Sequence, residues 1–161
     1  MACKKLETFE SRAPTSSIFT QIVSGSWSIS TSAVYDGEVG ARGDGEARMS
    51  LGAAFSEGWH HFKVRMNASP AGTGRLFRWL SDATVLGSIR VNISSRKVEI
   101  YTGTSTLVQT GNLILVPDVW YDFQLRTKIA NSGGVIEVKI NGVVDGSAFV
   151  GDTQPGSETH L

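Results

Sequence analysis

The sequence predicts an all-β protein built as two antiparallel sheets stacked face to face, and three observations predict it. Apolar and polar side chains alternate with a period of two through segment after segment, the mark of half-buried strands. No long stretch carries a helical apolar period. Gly, Ser, Asn and Pro bound the alternating segments, which gives about ten to twelve short strands and the facing-sheet arrangement that such a pattern favours.

The clearest segment is 119–143. Val119, Tyr121, Phe123 and Leu125 alternate with Asp122, Gln124 and Arg126, and after the break at 129–134 the alternation resumes as Ile136, Val138 and Ile140 against Glu137, Lys139 and Asn141. A hairpin on that even gap puts both apolar sets on one face.

Taken in order, the chain opens with a polar segment, 1–17, in which Leu6 and Phe9 mark a first strand at 5–10 before Pro14. Short strands follow at 18–23 and 27–30. Residues 35–45 interleave Gly37, Gly40, Gly43 and Gly45 with charged residues and read as a loop or a bulged strand pair. Ala47, Met49 and Leu51 form the next strand.

Over 59–67, Phe62, Val64 and Met66 point one way and His61, Lys63, Arg65 and Asn67 the other. A turn cluster at 70–74 leads to 75–80, where Phe77 and Trp79 share one face and Leu76 and Leu80 the other, as in a central strand covered on both sides. Residues 89–100 form a hairpin around Ser95-Arg96, predicted to pair Ile93 with Val98 and Val91 with Ile100. Residues 107–108 and 113–116 are further short strands, and Pro117 breaks the ladder before Val119. The chain finishes as a polar tail, 151–161.

A length of 161 residues fits a single domain, 1–161, with a core of its own. Lys plus Arg and Asp plus Glu number 15 each, so no net field draws the chain to nucleic acid. The lone cysteine, Cys3, excludes an intramolecular disulfide. No apolar run reaches the ~20 residues of a membrane span, and no leader-like segment follows Met1. The sequence thus reads as synthesised in the cytoplasm without a signal peptide, and the sequons at Asn67 and Asn92 are expected to stay unmodified.

Gly58-Trp59-His60-His61-Phe62-Lys63-Val64, together with Val119-Trp120-Tyr121-Asp122-Phe123-Gln124-Leu125 and Val135-Ile136-Glu137-Val138-Lys139-Ile140-Asn141-Gly142, resembles the concanavalin A-like, laminin G-like jelly-roll superfamily. There a Trp opens an alternating strand whose hairpin partner ends in Asn-Gly or Asp-Gly. The resemblance implies a jelly-roll sandwich. It places the chain among lectins, carbohydrate-binding modules, polysaccharide-degrading enzymes and domains of phage and viral particles. The Glu-x-Asp-x-x-Glu pattern of the glycosidase branch does not occur here, and the family's closing last strand would fall where the polar tail lies. That sheet edge would then be completed by the N-terminal segment or by another chain.

Chemistry-bearing residues are few. Asp36, Glu38, Asp44 and Glu46 could offer oxygens to Ca²⁺, though their spacing is not that of an EF-hand and acidic Gly-rich loops are more often solvated turns. No other cofactor is expected. Arg42-Gly43-Asp44 matches the integrin tripeptide, for which chance is the better explanation. His60 and His61 fall on opposite faces of a regular strand, which keeps both from one metal ion and leaves His60 as a core or rim residue. No nucleophile–base arrangement and no phosphate-cradling loop appears, so no enzyme is expected.

Trp27, Trp59, Trp79, Trp120, Tyr35, Tyr101 and Tyr121 are the pool for sugar stacking. Tyr101, Tyr35 and Trp120 are the preferred candidates, Tyr101 because parity sets it with Lys97 and Glu99. The expected function is a non-catalytic module on the surface of a phage or viral particle (capsid decoration, tail or fibre). Its expected partners are other protein subunits, as in a homo-oligomer, and surface glycans. The alternative is an extracellular lectin or carbohydrate-binding module.

Overall fold

The structure, a computed structural model, describes residues 21–24, 27–30, 40–43, 46–48, 50–66, 74–153 and 158–160, with side chains described within 56–66 and 74–153. Every described element of regular structure is a strand. The chain divides into two compact units, residues 1–52 with His160 and residues 53–159 with Leu161.

In the first unit β1 (Gln21–Ser24) pairs antiparallel with β4 (Glu46–Arg48), and β2 (Trp27–Ser30) with β3 (Gly40–Gly43). The Gly-rich stretch therefore contributes a strand, β3, with Gly43 opposite Trp27 and Gly40 opposite Ser30. The strand expected at 5–10 lies outside the described residues. The single strand expected around Ala47 and Leu51 is two, β4 and β5 (Ser50–Phe55).

In the second unit two antiparallel sheets face each other. One holds β6 (Glu57–Arg65), β11 (Trp120–Lys128), β12 (Gly134–Ile140) and β13 (Val143–Val144) in the order β13-β12-β11-β6, with β14 (Phe149–Gly151) also on β12. The other has β7 (Gly74–Ser81), β8 (Thr84–Val91), β9 (Lys97–Thr102), β10 (Thr106–Ile114) and β15 (Glu158–His160), ordered β10-β9-β8-β7-β15-β5. β7 is thus a central strand. The segment read as a polar tail supplies β15.

The β11–β12 hairpin pairs Phe123 with Ile140, Leu125 with Val138 and Thr127 with Ile136, the one-face register that the alternation requires. Asn141 and Gly142, at φ 52° and 81°, make the two-residue turn into β13, a backbone region open to Asn and Gly at little cost. Phe62, Phe123, Leu125, Ile136, Val138 and Ile140 from one sheet meet Trp79, Ile89, Val91, Val98 and Ile100 from the other in a single cluster. Phe62 and Phe77, from opposite sheets, stack with centroids 4.7 Å apart. Each fully buried large apolar side chain contributes about 1.5–3 kcal/mol of transfer free energy.

Three expectations need correcting. The β8–β9 register pairs Val91 with Val98 and Ile89 with Ile100, two residues away from the predicted one. Ser95-Arg96 lacks the Gly or Asn that a two-residue turn favours. Asn92 supplies the turn instead, its Oδ1 accepting from Ser94 N and Ser95 N while its carbonyl accepts from Arg96 N, so Ile93 leaves the ladder. A shift of two preserves the faces, and the inner residues stay inner.

Residues 107–108 and 113–116 are not separate strands. β10 runs unbroken through polar Gln109, Thr110 and Asn112, and its register slips where 110–114 spans only Glu99 to Lys97. Val119 precedes β11 and is exposed rather than core.

Asp145 holds the β10 slip. Following β13, the edge strand of the other sheet, its Oδ1 accepts from Asn112 N at 2.7 Å and Leu113 N at 2.8 Å. Thr153 ties the connection after β11 in the same manner, accepting from Ala130 N and donating to the Lys128 carbonyl, each at 2.9 Å.

Candidate functional site

The outer face of the five-stranded sheet carries a continuous set of outward aromatic and charged side chains. The registers set them in rows: Trp59 beside Arg126 beside Glu137, His61 beside Gln124 beside Lys139, Lys63 beside Asp122, and Arg65 beside Trp120. Trp59 and Trp120 stand at opposite ends of the β6–β11 pair, three rows apart. At two residues per row that is roughly 20 Å.

Trp59 is 49 % exposed. The Arg126 guanidinium and the Lys139 ammonium lie 5.6 and 5.5 Å from its ring centroid, and Arg65 lies 5.5 Å from that of Trp120. Arg126 is fixed by Nε and Nη2, which donate to Glu57 Oε1 at 3.0 and 2.9 Å. His61 Nε2–H donates to Asp122 Oδ1 at 2.6 Å, and Lys139 reaches Glu137 at 3.7 Å. Asn141 Oδ1 accepts from Asp122 N at 2.9 Å, which locks the turn to this face.

The carboxylates described here, those of Glu57, Asp122 and Glu137, each have a cationic or imidazole partner. What the face offers is two indole platforms with hydrogen-bonding groups between them. This suits non-covalent binding of an extended ligand lying along the strands.

Of the preferred stacking candidates, Trp120 is on this face. Tyr101 is on the six-stranded sheet, so the structure does not bring the two together. Its hydroxyl donates to Glu99 Oε2 at 2.7 Å and Arg90 covers its ring at 3.9 Å. The hydrogen bond to Glu99 is the main cause that raises its phenol above the ordinary value, with burial and the Glu99 charge adding and Arg90 opposing. Tyr35, Asp36, Glu38 and Asp44 lie outside the described residues, as does the Glu46 side chain. Among the described residues no group of three or more His, Cys, Asp or Glu is placed to hold a metal ion.

Trp79 is fully buried and Tyr121 nearly so, the latter accepting from Val116 N through its hydroxyl. His60 turns inward, 5.7 Å from Phe77, while His61 turns outward to Asp122. Trp59 is the residue the preferred set missed. Its odd number places it with His61, Lys63 and Arg65, so the parity argument applied to Tyr101 also selects Trp59.

No helix of the described residues is long and apolar enough to cross a membrane. No protein-family model, no curated protein and no solved structure matches this chain.

Proposed function

We propose that this chain is a non-catalytic glycan-binding module of the laminin G-like, concanavalin A-like jelly-roll kind, and that the outer face of the five-stranded sheet is its binding surface. The carrying observation is Trp59, half exposed beside Arg126 and Lys139, with Trp120 at the far end of the same strand pair. An indole stacks on the apolar face of a pyranose, while Gln124, Lys63 and His61 between the two rings offer partners to hydroxyls. A glycan array tests this reading. Saturable binding to a defined set of oligosaccharides is expected, and a blank array at high protein concentration contradicts it.

A second reading, a phage or virion surface module held by other subunits, draws support from the edge strands. Leu107 and Ile114 on β10 and Val143, Val144 and Val150 on β13 and β14 are exposed, Val143 at 71 %. Aliphatic side chains on edge strands are natural subunit contacts. Light scattering across a concentration series distinguishes the two readings: self-association supports the assembly module, and a monomer throughout counts against it.

A further inference from the structure

The outer face of the β6–β11 pair is built twice. Trp59-x-x-Phe62-x-Val64-Arg65 and Trp120-x-x-Phe123-x-Leu125-Arg126 run antiparallel with Phe62 directly opposite Phe123, so a local pseudo-two-fold axis passes through that pair, normal to the sheet. The rotation carries Trp59 onto Trp120 and Arg126 onto Arg65. Resting on the glycan-binding reading of this face, we propose that each Trp–Arg pair is a half-site for one sugar ring. The ligand class is then a linear glycan long enough to cross both, held at an internal stretch rather than by its end.

The half-sites agree in geometry as well as in residue type. The Arg126 guanidinium lies 5.6 Å from the Trp59 ring centroid, and that of Arg65 lies 5.5 Å from the Trp120 centroid. Parity puts all four side chains on the outer face. Trp59 and Arg65 are exposed positions of β6, while Trp120 and Arg126 are half-buried positions of β11, each beside a buried neighbour, Tyr121 or Leu125. Like groups at like spacing take the same chemical group: the indole the apolar face of a pyranose, the guanidinium beside it the hydroxyls of that ring.

The separation selects the ligand. Trp59 faces Arg126, six positions along β11 from Trp120, which is roughly 20 Å of extended strand. A single sugar or a disaccharide is shorter than this and fills one half-site. A chain of several linked rings reaches both, and its second contact becomes intramolecular, with a gain in affinity that needs no new group. Between the ends the symmetry is broken, because β6 has His61 and Lys63 where β11 has Asp122 and Gln124. Equal ends set the length of the ligand, and the unequal middle sets the direction in which a glycan lies.

Calorimetric titration of the full chain with graded linear oligomers of cellulose, xylan, chitin and hyaluronan, from the disaccharide upward, tests the proposal. In the series that binds, short oligomers are expected to fill two weak sites per chain. Beyond a threshold length, one oligomer per chain is expected to bind at least tenfold more tightly. Trp59→Ala and Trp120→Ala should each abolish that step and leave one weak site, whereas Trp59→Phe and Trp120→Phe, which keep a flat ring, should retain it. The length series on the wild-type protein needs no variant, so a folding defect in one, read by circular dichroism, does not remove the test. One stoichiometry at all lengths, or a length step that survives either folded Ala variant, overturns the paired half-sites and leaves glycan binding in place. No saturable heat in any series overturns the glycan-binding reading and the half-sites with it.

Discussion

Phe62 and Phe123 sit directly opposite each other across β6 and β11, their rings stacked 9° from parallel with centroids 5.5 Å apart. They are the centres of two copies of one pattern, Trp59-x-x-Phe62-x-Val64-Arg65 and Trp120-x-x-Phe123-x-Leu125-Arg126. Paired antiparallel, the pattern complements itself: Phe meets Phe in the middle, and each Trp meets the Arg of the other copy at the ends. The pairing fixes the inner core contact and the outer Trp–Arg pairs in one register, so core and candidate face depend on the same alignment.

Removing the centre should therefore be costly. Phe123→Ala is expected to lower stability by about 3–5 kcal/mol, the range for a fully buried aromatic, read as a drop in the urea midpoint.

Gly87 is required for packing. A Cβ there would lie 2.7 Å from Trp79 Cε2 and 2.7 Å from the Tyr101 carbonyl oxygen, and the latter is backbone in the adjacent strand. Gly87→Ala should cost about 1–3 kcal/mol, seen as a lower thermal midpoint. A midpoint equal to wild type would mean that β8 and β9 lie farther apart than described.

Asp145 ties the β10 slip across the sandwich. Asp145→Ala leaves Asn112 N and Leu113 N without their acceptor and should cost about 1–3 kcal/mol. Asp145→Asn keeps an acceptor oxygen and should cost less. Amide exchange at Asn112 and Leu113 gives the local reading, with faster exchange expected in the Ala variant.

The Tyr101 phenol holds its proton more tightly folded than unfolded, because its hydroxyl donates to Glu99 and the site is partly buried. A folded value raised above the ordinary 10.0 stabilises the fold below that pH, and the contribution disappears as pH climbs through the raised value. Phenolate absorbance followed during an alkaline titration should show an ionisation later than the ordinary value that Tyr101→Phe removes. Glu99→Gln should move it back toward the ordinary value.

The period-two alternation made the inner faces legible, since burial on one side of a pleated strand writes itself directly into parity. The same parity sets Trp59 and Trp120 on the outer face, although the preferred candidates include only Trp120. What it could not carry were the places where parity is reset. Leu76 is an extra residue in β7, and Leu86 an extra one in β8 between Gly87 and Val85; neither leaves a mark in composition. The Asn92 turn was hidden because a side chain, not a Gly, shapes it. β10 is not legible as one strand, because polar residues continue it where Asp145 supplies the missing partners.

The central claim is that Trp59 serves binding and Trp79 serves the fold, and one paired measurement separates them: thermal unfolding and glycan affinity of Trp59→Ala beside Trp79→Ala. Trp59→Ala should keep its stability to within about 0.5 kcal/mol while losing affinity at least tenfold, and Trp79→Ala should lose several kcal/mol of stability. A Trp59→Ala protein that binds glycan as tightly as wild type, or that unfolds as readily as Trp79→Ala, would contradict the account.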